Sequence, residues 1–169
     1  MNKPLAVLLC GITGSGKTVL ATALAEHGLT RLSVDEEVHR RHGRYGIDYP
    51  EHEYFDRETP VVDDIRNQVI QHLTDGTSVV LDHGLWLRKD RDAWRTVIEN
   101  AGRTTRLVYL PVDKTELLRH LTERNQREDA NALTVTPEAL DDFFARFDPP
   151  DPDEHAVVYT GGDPTTVLE

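Results

Sequence analysis

Leu5-Ala6-Val7-Leu8-Leu9-Cys10, followed at once by Gly11-Ile12-Thr13-Gly14-Ser15-Gly16-Lys17-Thr18, is the stretch that decides the fold. Six apolar residues in succession read as a strand buried on both faces, as in the centre of a parallel sheet. The segment after it fits G-x-x-x-x-G-K-[ST] in full. Val19, Leu20, Ala23, Leu24 and Ala25 then recur with a period near 3.6, which predicts a helix over residues 17–27 stopped by Gly28. Strand, glycine-rich loop and helix in that order make a device for holding a polyphosphate. Backbone N–H groups converge on the anion, and the helix N-terminus adds its positive dipole end. Glycines let the backbone approach without a Cβ in the way. On this reading Gly11, Thr13, Gly14, Ser15 and Gly16 cradle the phosphates. Lys17 bridges the β and γ phosphates, and the Thr18 hydroxyl ligates Mg²⁺.

Outward from this motif, strand and helix patterns alternate to the end of the chain. Short apolar or β-branched runs predict strands at 29–34, 77–81, 104–110 and 156–160. Thr59-Pro60 reads as an N-cap and first helical residue, opening a helix whose buried stripe is Val62, Ile65, Val69 and Leu73. A charged helix follows over 88–101, with Ala93, Trp94, Val97 and Ile98 facing inward. Asp113-Lys114-Thr115-Glu116 looks like a capping box opening a helix to about residue 127. Thr136-Pro137 caps a last helix through Phe147. Residues 35–59 show no clean period and are expected to be a long functional connection. The sum is an α/β sandwich around a parallel sheet with right-handed crossovers, one domain over 1–169.

Composition narrows the function. The 169 residues hold 19 Lys+Arg against 30 Asp+Glu, a formal charge of −11. The excess is uneven, because residues 141–169 carry one basic and eight acidic side chains. A near-neutral body with an acidic end argues against a grip on long nucleic acid and against an anionic membrane surface. Cys10 is the single cysteine, so an intrachain disulfide and the cysteine-rich zinc sites are excluded. Next to a buried strand it reads as core, not nucleophile. No apolar run approaches the ~18 residues of a membrane span, and a cytoplasmic location is expected. His-Glu-x-x-His does not occur, which argues against metal-hydrolase chemistry. Neither Asn-Lys-x-Asp nor Asp-x-x-Gly occurs, which argues against a GTPase.

Phosphoryl transfer to a hydroxyl benefits from a carboxylate base, and such groups sit at the C-terminal ends of strands in open α/β sheets. Two candidates occupy those places. Asp35 follows strand two and is read as the base, a role that can coexist with helix capping. Asp82 closes Val79-Val80-Leu81 and is expected to hold Mg²⁺ through water or to bind the acceptor. Arg124 and Arg127 share one helix face, with Arg119 five residues earlier. The polar segment after them reads as a lid over about 124–137, whose arginines reach the γ-phosphate on closure. Arg88 and Arg91 are candidates for the acceptor or its phosphate.

Taken together, the phosphate loop, Asp35, Leu81-Asp82-His83-Gly84 with Arg88-x-x-Arg91, Arg119 through Arg127, and Arg146-Phe147-Asp148-Pro149-Pro150 resemble a family of small bacterial P-loop kinases. Its relatives include polynucleotide kinase, zeta toxin and chloramphenicol phosphotransferase. The resemblance implies an adenylate-kinase-like core with strand order 2-3-1-4-5, ATP with Mg²⁺, and transfer of the γ-phosphate to a hydroxyl. It makes Lys17 and Thr18 the phosphate and metal residues, Asp35 the base, and Arg124 or Arg127 the lid arginine. The sequence departs from polynucleotide kinases after Asp35, since Arg40 comes five residues later; Arg40 is the candidate for acceptor binding.

The acceptor pocket is expected from residues 35–59. Asp48, Glu51, Glu53, Asp56 and Glu58 alternate there with Tyr45, Tyr49, Tyr54 and Phe55. Acidic and aromatic side chains suit a small polar molecule, including an amine-bearing antibiotic or metabolite. A nucleoside or polynucleotide 5′-hydroxyl is the second enzymatic reading. An ATP-dependent switch with no phosphate acceptor is the reading of another class.

Overall fold

The computed structural model describes residues 3–12, 14–124 and 137–169. β1 (Leu5–Cys10) lies between β3 (Val79–Asp82) and β4 (Thr104–Tyr109), and the sheet is completed by β2 (Thr30–Ser33) and β5 (Val157–Val158). All pairings are parallel and the order is β2-β3-β1-β4-β5. This is the order that the family resemblance implied. The pleat of β1 sends Ala6, Leu8 and Cys10 to one face, where Val69, Leu73, Trp94 and Ile98 pack. Val7 and Leu9 point the other way, against Leu20, Ala21, Leu24 and Val167. Both faces are therefore covered, which is why the strand reads as a continuous apolar run and not as an alternation.

The layers are helical. α1 (Lys17–Glu26) covers one face, and α3 (Tyr54–Thr74) and α4 (Arg88–Asn100) cover the other. α5 (Lys114–Arg124) and α6 (Pro137–Arg146) meet the phosphate loop through a small cluster of Ile12, Leu117 and Leu140, all buried. The expected lid residues 125–136, with Arg127, lie outside the described residues. So do Thr13 and the side chain of Arg124.

The sequence reading fails between 34 and 60. That segment is not a structureless connection: it contains α2 (Val34–His42), a 3₁₀ turn at Glu51–Glu53 and the first turns of α3. Strand two accordingly stops at Ser33, whose side chain accepts a hydrogen bond from the Glu36 N–H at 3.2 Å and caps α2. The acids Asp35, Glu36 and Glu37 sit at the positive end of α2, and His39, Arg40, Arg41 and His42 at its negative end. Pro60 is inside α3, not at its start. The carbonyl that loses a donor to it belongs to Asp56, which is exposed and can use water instead. Ala93 is exposed, while its neighbours Trp94 and Ile98 are buried.

The acidic C-terminal end is tied to α4. Arg91 is wholly buried, and its Nε and Nη2 donate to the two oxygens of Glu154 at 2.8 and 3.0 Å. Its Nη1 donates to the carbonyls of Leu85 at 3.0 Å and Asp148 at 2.8 Å. Arg88 reaches Asp151 at 3.0 Å and Asp153 at 2.6 Å. The bidentate pair matches the planar guanidinium fork, so Lys could not replace Arg91. Removing one partner strands a buried charge, so Arg91→Ala should lose about 3–5 kcal/mol in urea unfolding. Arg91→Met combined with Glu154→Leu should recover most of that loss. A double variant as unstable as the single one would mean that the carbonyl contacts, not the ion pair, carry the effect.

Candidate active site

The phosphate loop leaves β1 and enters α1 through backbone conformations that favour glycine. Gly14 has φ 90° and Gly16 has φ 97°, both in the left-handed region. Gly11 answers a different constraint: a Cβ there would collide with Ser15 Oγ and come within 3.2 Å of the Leu110 carbonyl. The Gly11 N–H donates to the Gly84 carbonyl at 3.2 Å, tying the loop to the end of β3. Lys17 Nζ donates to the carbonyls of Gly11 at 2.9 Å and Ile12 at 3.0 Å, which holds a positive charge over the loop. Ser15 Oγ is buried without a hydrogen-bond partner among the described residues. A glycine-lined loop with an orphaned hydroxyl and an anchored ammonium fits a polyphosphate.

The metal candidates stand together. Thr18 Oγ1 donates to Asp82 Oδ2 at 2.9 Å, and Asp82 is nearly fully buried. A hydroxyl and a carboxylate are the hard oxygen donors that Mg²⁺ takes. Asp82 has a second partner that the sequence did not flag: Arg31 of β2 donates to Oδ2 through Nη2 at 2.7 Å and Nε at 3.2 Å. Arg31 also pairs with Glu36 at 2.6 Å. Register explains the meeting, because Ser33 pairs with Asp82 across the β2–β3 ladder and Arg31 lies two residues back on the same strand. The charge of Asp82 is thereby balanced inside the fold, and its Oδ1 carries none of these bonds.

Asp35 lies in the first turn of α2, just past the C-terminal end of β2. Tyr54 donates its hydroxyl to Asp35 Oδ1 at 2.7 Å. Glu58, one turn further along α3, lies beside that hydroxyl, and burial pushes its carboxyl above the usual range. Burial and the two nearby carboxylates push the Tyr54 phenol far up, so it stays a donor. A ligand atom from each of Asp35, Glu58 and His83 falls within one 4.8 Å cluster. Beside the cluster is a cavity of about 230 Å³ lined by Glu58, Asp63, Arg66, His83, Asp90 and Trp94 among others. Asp82 and His83 are adjacent in sequence, so one turn of chain joins the phosphate loop to this cavity. Leu85 holds a left-handed φ of 50° where that chain bends back, and its carbonyl accepts from Arg91 and from Cys10 Sγ. Cys10 is core, as expected: it is buried, and burial pushes its thiol up to about 11.

A family model described as an AAA domain matches residues 7–150. The chain belongs to that family. No curated protein matches it. Among solved structures, a gluconokinase from Sinorhizobium meliloti 1021 superposes with a TM-score of 0.67 at 18% identity, over 99% of this chain and 89% of that one. A sugar kinase from Janibacter sp. HTCC2649 gives 0.65 at 17% identity, over 99% and 91%. The APS kinase of Mycobacterium tuberculosis, in complex with AMPPNP and APS, gives 0.64 at 18% identity, over 99% and 95%. What this AAA domain shares with them is the fold of small P-loop kinases.

Three other residues of the AAA domain's expected site are engaged elsewhere. Arg40 is exposed and pairs with Glu37. Arg88 is taken up by Asp92, Asp151 and Asp153, and Arg91 by Glu154. In this structure both arginines anchor the acidic C-terminal end. Arg119 lies on an exposed helix face between Glu116 and Glu123. Among the described residues, no helix is long and apolar enough to cross a membrane.

Proposed function

We propose that the protein is an ATP-dependent phosphotransferase that moves the γ-phosphate of ATP to a hydroxyl of a small polar molecule. The observation that carries this is the adjacency of two half-sites through consecutive residues. Asp82 hydrogen-bonds the loop's Thr18, and His83 joins Asp35 and Glu58 at the wall of the cavity. A donor on the loop and an acceptor in the cavity then meet at the C-terminal edge of the sheet, the usual ligand position in such folds.

The roles follow from chemistry. Gly11, Thr13, Gly14, Ser15 and Gly16 hold the triphosphate through backbone N–H groups and the Ser15 hydroxyl. Lys17 offsets charge on the β and γ phosphates. Thr18 and Asp82 hold Mg²⁺, which neutralises charge on the transferred group when bound. Asp35 accepts the acceptor's proton as the new P–O bond forms, with Tyr54 fixing the carboxylate's orientation. The cavity contributes Glu58, Asp63 and Asp90 against a single arginine, and Arg66 is paired with Asp63 at 3.4 Å. That balance favours neutral or amine-bearing acceptors over anionic ones.

A panel of hydroxylated molecules with ATP and Mg²⁺, read by mass spectrometry, tests this. The panel includes sugars, aminosugars, nucleosides, sugar acids and a 5′-hydroxyl oligonucleotide. Phosphorylation of a neutral or amine-bearing small molecule is the expected result. Turnover confined to the oligonucleotide would move the assignment to nucleic-acid ends. ATP hydrolysis with no phosphorylated product would favour a switch.

A further inference from the structure

The Asp35–Glu58–His83 cluster has a property that phosphoryl transfer does not require. Its three ligand atoms come from three separate elements: Asp35 from α2, Glu58 from α3, and His83 from the turn after β3. They converge within 4.8 Å of one another. Two carboxylates at this spacing repel one another, and Tyr54, a neutral phenol, offsets neither. Arg57, the guanidinium next in sequence to Glu58, turns instead to Glu53 and His42. The His83 Nδ1 is enclosed and has no hydrogen-bond partner among the described residues. A buried imidazole nitrogen without a partner is uncommon, because leaving it so costs free energy. A cation bound between the two carboxylates and the imidazole would relieve that repulsion.

We propose that Asp35, Glu58 and His83 form a binding site for a borderline divalent cation of the Zn²⁺ class, distinct from the Mg²⁺ position at Thr18 and Asp82. One imidazole nitrogen and two carboxylate oxygens suit Zn²⁺, which accepts nitrogen and oxygen donors with water in a fourth position. Mg²⁺ prefers an all-oxygen octahedron and keeps its waters, so it is a poor competitor here. Binding of this cation takes the Asp35 carboxylate as a ligand. An occupied site therefore withholds that carboxylate from an acceptor hydroxyl. The binding itself rests on the cluster alone; this inhibitory consequence rests on the proposed role of Asp35.

The test is direct metal binding by the full chain, without ATP or acceptor. Chelator-stripped protein is titrated with Zn²⁺ in excess Mg²⁺ by calorimetry, and with Co²⁺ by visible absorption. One saturable site per chain is expected, with a Co²⁺ spectrum of mixed nitrogen and oxygen ligation. His83→Gln and Glu58→Gln should each weaken Zn²⁺ by about 10–100-fold or more, since even outer-shell changes reach that range. His52→Gln, on an exposed surface turn, should change nothing. Circular dichroism checks that each variant is folded, and Asp35→Asn serves as a third variant if either misfolds. No saturable site, or a site indifferent to all three ligand variants, overturns the proposal. Tight Zn²⁺ binding without inhibition of transfer would leave the metal site standing and remove Asp35 from the role of base.

Discussion

Replacing Lys17 by alanine is expected to reduce phosphoryl transfer by a factor of about 10²–10³ or more, the scale seen when one preorganised donor is removed from a developing anion. The effect should fall on turnover more than on folding. Lys17 holds its ammonium against the carbonyls of Gly11 and Ile12, a position that keeps a full charge over the loop. Gly11 and Ile12 are themselves buried, so losing the donor leaves their carbonyls poorly paired and thermal stability should fall modestly, by less than the loss in turnover. Nucleotide affinity should fall by about 10–150-fold, since a charge-assisted hydrogen bond contributes ~1.5–3 kcal/mol. Lys17→Arg should not rescue, because a planar fork cannot occupy a point-charge position between two carbonyls. The measurement pairs single-turnover transfer with nucleotide binding by fluorescence. Unchanged turnover in Lys17→Ala would remove the loop from the chemistry altogether.

The loop was legible because its signal is covalently local. A buried strand, glycines and a lysine follow one another within fourteen residues, and each obeys a rule that needs no distant partner. The strand order came from likeness and not from spacing, and the parallel ladder then follows from which runs are apolar on both faces. The arginines show the converse. Arg88 and Arg91 open a helix past a strand end, where a phosphate ligand would also sit. Their partners Asp151, Asp153 and Glu154 are some sixty residues away, and no local pattern reveals the pairing. Arg31 escaped for the same reason, because its carboxylate lies on the neighbouring strand.

The segment after Asp35 is a different kind of failure. α2 has two core residues, Val34 and Val38, so a hydrophobic period has almost nothing to register. Its signature is electrostatic: a serine cap, acids in the first turn and bases in the last. That ordering is written in Ser33 through His42 and could have been read. Pro60 pulled the start of α3 six residues late, since proline is favoured at a first position and tolerated inside only where the lost bond is exposed. The shift matters for the site, because the missed turns carry both Tyr54 and Glu58.

Asp35→Asn should separate chemistry from binding more cleanly than any other change. Asparagine is nearly isosteric, and its carbonyl oxygen can still accept the Tyr54 hydroxyl, which lies 2.7 Å from Oδ1. The local geometry, and with it α2 and the cavity wall, should therefore persist. What disappears is the ability to take a proton. General-base catalysis contributes about 10²–10⁴-fold, so turnover should drop within that range while the nucleotide dissociation constant moves less than about twofold. Tyr54→Phe should have a smaller effect on turnover, as it removes the orienting bond but leaves the carboxylate. If Asp35→Asn weakens nucleotide binding as much as turnover, the carboxylate is holding the donor side and is not the base. If turnover survives unchanged, the proton leaves by another route, and Glu58, whose carboxyl burial pushes above the usual range beside the same hydroxyl, becomes the residue to replace next.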